Sequence, residues 1–204
     1  MKLATLKHKS RENAAVGTSE GWVGMEVCAA MAGRKWPADL LGLIKGGYVE
    51  EVRAWAAAHE RDLESADETV VPEQACFGPL YRRPRKIWGI GLNYADHAAD
   101  LEEQVPAAEP ASFMKPDTAV IGPGDTIRIP RLSKKTTAEA ELGLVFGKTC
   151  RHVKPRDWRS VLAGFTPIID MTAEDILRRN PRNLTQSKSF DTFFSFGPVL
   201  YTVD

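Results

Sequence analysis

Residues Thr137 to Lys148 read TAEAELGLVFGK, and the alternation in this stretch decides the fold class. Successive side chains of a strand point to opposite faces, so residues i and i+2 share one. Glu139, Glu141, Gly143 and Val145 therefore lie on one face. Ala138, Ala140, Leu142, Leu144 and Phe146 form the other, an unbroken apolar row that suits a core. The two glutamates stand roughly 7 Å apart at their Cα atoms by strand geometry. They repel each other unless something positive sits between them, and a cation could. Taken alone, two glutamates on one face read first as a solvated strand face.

The chain has 204 residues, enough for one large domain or two small ones with a real core. Lysine plus arginine and aspartate plus glutamate both number 27, so the basic excess of a nucleic-acid partner is missing. Cys28, Cys76 and Cys150 are too few and too scattered for a disulfide framework or a zinc pattern, and they fit a reducing cytosol. The start, MKLATLKHKSRENAAVG, lacks the apolar h-region of a secretory signal. No run approaches a membrane span. The expectation is a cytoplasmic protein with neither a membrane nor a nucleic acid as partner.

A small α+β module is expected over residues 1–82. LATLKH and GWVGMEV read as strands around a polar turn KSRENA. PADLLGLIK reads as a helix from Pro37 that stops at Gly46-Gly47. YVEEVRAWAAAHERDL carries a stripe of Val49, Val52, Ala56 and His59, with His59 read as a packing or surface residue. The proline- and arginine-rich PEQACFGPLYRRPRK places a boundary near Arg82. Residues 83–204 form the second, strand-dominated region. Ile87 to Leu92 should be a strand whose Gly89 and Gly91 allow close backbone approach. GIGLNY lacks the third glycine of a dinucleotide fingerprint, which argues against a nicotinamide cofactor. Strands are expected after the turn in IGPGDTIRIP, in TPIIDM ending at Asp170, and in FGPVLYTVD; WRSVLAGF reads as a short helix, and TAEDILRRN as a helix begun by Thr172.

Several side chains could carry chemistry. Glu139, Glu141 and Asp170 offer the hard carboxylate oxygens that Mg²⁺, Mn²⁺ or Ca²⁺ prefer. Asp170 follows Pro167-Ile168-Ile169, where a carboxylate is costly unless paired; it reads equally well as an N-cap of the next helix. His97 and Asp100 stand at i, i+3 in a helical reading. They could form a general base with its orienting carboxylate, or the commoner surface ion pair. Lys188 in QSKSFDTF could face an anion, although a lone lysine is more often solvated.

The order of the pieces says more than any one of them. GLNYADH, FMKP, GPGD, EAEL with VFGK, AGF…DMTAED and KSFDTF…GP follow one another over residues 91–198. That series resembles the fumarylacetoacetate hydrolase family, which includes acylpyruvases and 2-oxo-acid hydratases, isomerases and decarboxylases. The resemblance implies an α+β, β-rich fold: a mixed β-roll after a small N-terminal domain, assembled as a homodimer. It implies a divalent cation, usually Mg²⁺ with Mn²⁺ or Ca²⁺ possible, held by Glu139, Glu141 and Asp170. It also implies His97 as the water-activating base and Lys188 as the active-site lysine.

The expected function is hydrolysis of a C–C bond in a 1,3-diketo acid of the acylpyruvate type. The same site could hydrate, isomerise or decarboxylate a 2-oxo acid, or the chain could be a non-catalytic remnant. Asp100 replaces the family's usual glutamate, with Glu102 and Glu103 nearby; Glu174 replaces a basic residue, and Leu177 a frequent glutamine. The family's domain runs on beyond the point matching Asp204. The expectation is therefore an incomplete domain, poorly soluble and weakly active alone, with cover lost from Leu142, Leu144 and Phe146 and with Phe193, Phe194 and Phe196 partly exposed.

Overall fold

The computed structural model describes residues 1–8, 11–91 and 110–203. Ten strands are described: β1 Lys2–His8, β2 Arg11–Gly17, β3 Trp22–Gly24, β4 Ile87–Gly91, β5 Ala111–Lys115, β6 Val120–Ile121, β7 Thr136–Phe146, β8 Leu162–Ala173, β9 Phe194–Phe196 and β10 Val199–Thr202. Eight form one sheet in the order β3-β2-β1-β10-β8-β9-β6, with β7 added on β8. β4 and β5 make a separate antiparallel ribbon. β6 pairs with β9 in parallel, and the other pairs are antiparallel. The fold is α+β and rich in strand.

Helices α1 Met25–Ala32, α2 Leu40–Lys45, α3 Val49–Ala58 and α4 Glu60–Glu64 come before β4. Asp39 caps α2, its carboxylate accepting from the Gly42 N–H, so that helix starts later than Pro37 suggests. His59 stacks on Trp55 as a packing residue. Leu40, Leu43 and Val52 from these helices share a core with Leu3 and Val16 of the first two strands and with Phe194, Phe196 and Leu200 of the last two. The sheet thus crosses the expected boundary near Arg82, because β1 pairs with β10. The two-domain division stays a proposal.

Several elements differ from the sequence reading. Arg11 to Ala14 of KSRENA belong to β2, not to a turn, and GWVGMEV changes from strand to helix at Met25. No strand follows GPGD, since residues 122–135 hold only turns. Pro155–Val161 forms a 3₁₀ segment, and WRSVLAGF continues from it into β8 instead of forming a helix. Helix α5, Glu174–Arg179, is preceded by Ala173 with no side-chain cap, so neither Thr172 nor Asp170 caps it. Helix α6 spans Leu184–Lys188.

β8 is the spine of the sheet. β7 runs along one edge of it from Thr136↔Ala173 to Phe146↔Leu162. Its other edge takes β10 at Gly164 and Phe165, then β9 from Ile168 to Asp170. A Cβ on Gly164 would fall 2.1 Å from the Tyr201 carbonyl oxygen, so only glycine lets these strands come this close. In the ribbon, Gly89 faces Phe113, and a Cβ there would lie 2.2 Å from the ring. The close approach expected at Gly89 is thus made by an aromatic ring lying across β4.

The faces of β7 are as the alternation gives them, but their environments are reversed. Leu142, Leu144 and Phe146 are 55, 51 and 58 % exposed, while Glu139 and Glu141 are half-buried and Val145 is buried. The glutamate face turns toward the core because buried lysines meet its carboxylates. Phe193, Phe194 and Phe196, expected to be partly exposed, are buried. No described strand pairs the outer edge of β7.

An apolar face beside an unpaired edge is a template for association. The 204-residue chain alone is expected to associate as its concentration rises. Lys at both 142 and 146, in Leu142→Lys with Phe146→Lys, should suppress this. Sedimentation velocity checks it, and identical profiles for the two proteins would mean that this face is not the adhesive surface.

Candidate active site

The register of β7 on β8 builds the site. Glu139 stands directly opposite Asp170, and Glu141 opposite Ile168. Directly opposed residues have Cβ atoms about 4.5–5.5 Å apart, and diagonal ones about 7–8 Å. All three carboxylates therefore rise from one face of the β7–β8 pair, Glu139 beside Asp170 and Glu141 on the diagonal. Asp170 is 6 % exposed, so its charge needs compensation.

Two lysines supply that compensation. Lys188, the last residue of α6, is 5 % exposed; its Nζ donates to Asp170 Oδ2 at 2.7 Å and to Glu139 Oε1 at 3.0 Å. The same ammonium sits 4.7 Å from the centre of the Phe113 ring. Thr172, two residues along β8, donates its hydroxyl to Glu139 Oε1. Lys115 ends β5 and is 3 % exposed, with its Nζ 2.6 Å from Asp170 Oδ1. Burial pushes its ammonium down to about 8, against the pull of Asp170.

The donor set fits a hard divalent cation in type: three carboxylates on one face, at a point where positive charge already sits. Asp170 Oδ1 is buried against the Lys115 ammonium at 2.6 Å, so a cation there would share the carboxylate with a lysine. As the side chains lie, no three acidic, imidazole or thiol groups among the described residues converge closely enough to hold an ion. Lys188 stands between Glu139 and Asp170, donating to both.

His97 and Asp100 lie in 92–109, outside the described residues. Gly91, at the end of β4, leads into that segment. Glu174 does not face the carboxylates; Lys135 at 2.9 Å and Arg178 at 2.6 Å tie it down. Lys135, hydrogen-bonded to it, holds its carboxyl below the usual range.

Sequence reasoning gives Lys115, Phe113 and Thr172 no part in the site, although FMKP stands in the motif series and Thr172 reads as a helix start. The alternation in ASFMK puts Phe113 and Lys115 on one face. Nothing local says that this face is buried.

The pattern described as fumarylacetoacetate (FAA) hydrolase C-terminal matches residues 86–204. The rat mitochondrial oxaloacetate tautomerase Fahd2a is 40 % identical over 157 residues, which cover 77 % of this chain and 50 % of that protein. An uncharacterised protein of Archaeoglobus fulgidus is 42 % identical over 121 residues, covering 59 % of this chain and 48 % of that one. Among solved structures, maleylpyruvate hydrolase from Sphingobium sp. SYK-6, in complex with manganese(II) and pyruvate, is 25 % identical with a TM-score of 0.73. That match covers all of this chain and 68 % of the hydrolase.

This chain spans about half the length of the curated relatives it matches. No helix among the described residues is long and apolar enough to cross a membrane. The match over residues 86–204 takes in β4 to β10 and the three carboxylates and two lysines gathered at β7 and β8, and on it the chain belongs to the fumarylacetoacetate hydrolase family.

Proposed function

We propose that this chain carries the site of a divalent-cation-dependent hydrolase that cleaves a C–C bond in a 1,3-diketo acid of the acylpyruvate type. The observation that carries this reading is the cross-strand pair Glu139–Asp170, with Glu141 on the same face and Lys188 between them. Glu139, Glu141 and Asp170 would hold the cation, Mg²⁺ by preference and Mn²⁺ or Ca²⁺ as substitutes. When bound, the cation supplies Lewis-acid polarisation to the two oxygens of a 2-oxo acid.

The protein's own groups do the rest. Lys188 provides positive charge, set by the Phe113 ring, where the substrate's negative charge grows. His97, oriented by Asp100, takes a proton from water, and the water oxygen attacks the carbonyl farther from the carboxylate. Water is consumed, the bond between that carbonyl and the central carbon breaks, and the central carbon takes a proton. A carboxylic acid and a 2-oxo acid leave. We place this reaction in the cytoplasm of a reducing cell, in keeping with three free cysteines, and in a homodimer.

The tautomerase relative, 40 % identical, favours a second reading: keto–enol exchange of a 2-oxo diacid on the same groups. That reaction needs proton movement but no attacking water. Pyruvate release from an acylpyruvate marks hydrolysis. Loss of enol absorbance from oxaloacetate without new carbon products marks tautomerisation.

Glu141→Gln tests the cation site common to both readings. The variant removes a charge while leaving the apolar face of β7 unchanged. Calorimetric titration should show Mg²⁺ binding weakened by at least the ~10–100-fold that loss of a supporting partner costs. Undiminished affinity would remove Glu141 from the site.

A further inference from the structure

Beside the carboxylates and Lys188, among the described residues, stands a buried charge without a part in the chemistry, that of Lys115. We propose that Lys115 is a positioning residue that pins the β4–β5 ribbon to the carboxylate strands and holds Asp170 in place on them. This inference rests on the cation-site reading above.

An ammonium has three protons to donate. Lys115 directs all of its hydrogen bonds to backbone carbonyls: Met171 at 3.0 Å, Phe193 at 2.9 Å, and Lys188. These carbonyls belong to three separate segments: β8 just after Asp170, the turn leading into β9, and the end of α6. The same ammonium lies 2.6 Å from Asp170 Oδ1, an ion pair that holds the carboxylate against the end of the ribbon.

The ribbon has no hydrogen-bonded strand partner in the main sheet. Lys115, helped by the Ser189 hydroxyl donating to the Met114 carbonyl, fastens it there. Phe113, two residues before Lys115 on the same face, supplies the ring under Lys188. β4, paired along its length with β5, ends at Gly91, where the segment with His97 begins. One side chain therefore ties together the strand that carries Asp170, the end of the helix that carries Lys188, and the ribbon that leads to His97. A methionine of similar length would fill the space without the cost of a buried charge. Only a triple donor can gather three carbonyls.

Charge alone and positioning predict opposite signs. Deleting a bystander cation beside a cation site should tighten metal binding; deleting a pin should loosen it. Mn²⁺ titration of the 204-residue chain at low micromolar concentration, followed by electron paramagnetic resonance, separates the two. Lys115→Met is expected to weaken Mn²⁺ about tenfold, in the ~10–100-fold range for loss of a supporting partner. Lys115→Gln, equally neutral but with two donors left, should recover part of that loss. Lys188→Met should bind Mn²⁺ as tightly as the wild type or more tightly.

If Lys115→Met folds, by near-UV circular dichroism, and binds Mn²⁺ at least as tightly as the wild type, the proposal is overturned. If neither Lys115 variant folds, the lysine is structural and the positioning role is likewise overturned. Failure of the underlying reading looks different: Asp170→Asn would then leave Mn²⁺ affinity unchanged too.

Discussion

Replacing Asp170 with alanine is expected to cost about 3–5 kcal/mol of folding stability, the range for breaking a buried ion pair by removing one partner. Asp170 contacts both buried lysines, Lys115 at 2.6 Å and Lys188 at 2.7 Å. Without it, Lys115 and Lys188 face each other across a water-poor space, with Glu139 as the remaining charged contact described. Urea unfolding measures the loss. The same variant should show no cation-dependent turnover, since one of the three proposed cation ligands is gone. Asp170→Asn separates the effects: it keeps the shape and an acceptor for Lys188 while removing the charge. It should be less destabilised than Asp170→Ala but equally inactive. A stability of Asp170→Ala within ~1 kcal/mol of wild type would show that the lysines do not depend on this carboxylate.

His97→Ala carries the second large effect. Loss of a general base typically costs ~10²–10⁴-fold in rate. The expected result is a fall of that size in kcat on an acylpyruvate, with Mg²⁺ affinity and melting temperature nearly unchanged, because the proposed cation ligands lie on β7 and β8. Asp100→Ala should cost less, as it would orient the imidazole without exchanging a proton with substrate. Equal rates for His97→Ala and wild type would remove the histidine from the mechanism. Stopped-flow assays of acylpyruvate consumption resolve the difference.

The charged core of the site was legible in the sequence for two separate reasons. Alternation alone put Glu139 and Glu141 on one face, and the motif series then brought in Asp170, His97 and Lys188. What strand period cannot give is which face is buried. Five apolar side chains in a row read as a core, yet Leu142, Leu144 and Phe146 are exposed while the glutamates turn inward. The deciding partners come from far along the chain: Lys188 lies 49 positions from Glu139, and Lys115 reaches a carbonyl 78 positions away at Phe193. No local pattern encodes those meetings.

The same limit explains Asp170. As the residue before MTAEDIL it resembled a helix cap, but β8 continues through it to Ala173. Pairing with β7 on one side and β9 on the other overrides the local cap signal. In the first region the end of α2 is readable because Gly46 acts within a turn of its own element, while the cap at Asp39 is passed over for Pro37 and the start of α1 reads as strand.

The place of β1 has a consequence in time. Its hairpin with β2 is local and can close within ~1–10 μs of emerging from the ribosome. Its other neighbour, β10, comes almost two hundred residues later, at Val199–Thr202. At about 5–20 residues per second, synthesis leaves that edge of β1 waiting for roughly 10–40 s. The waiting strand holds Lys2, Leu3 and Ala4 in backbone positions ready to pair with any passing strand. Pausing or crowding during translation thus acts on this chain through β1, long before the carboxylate strands exist.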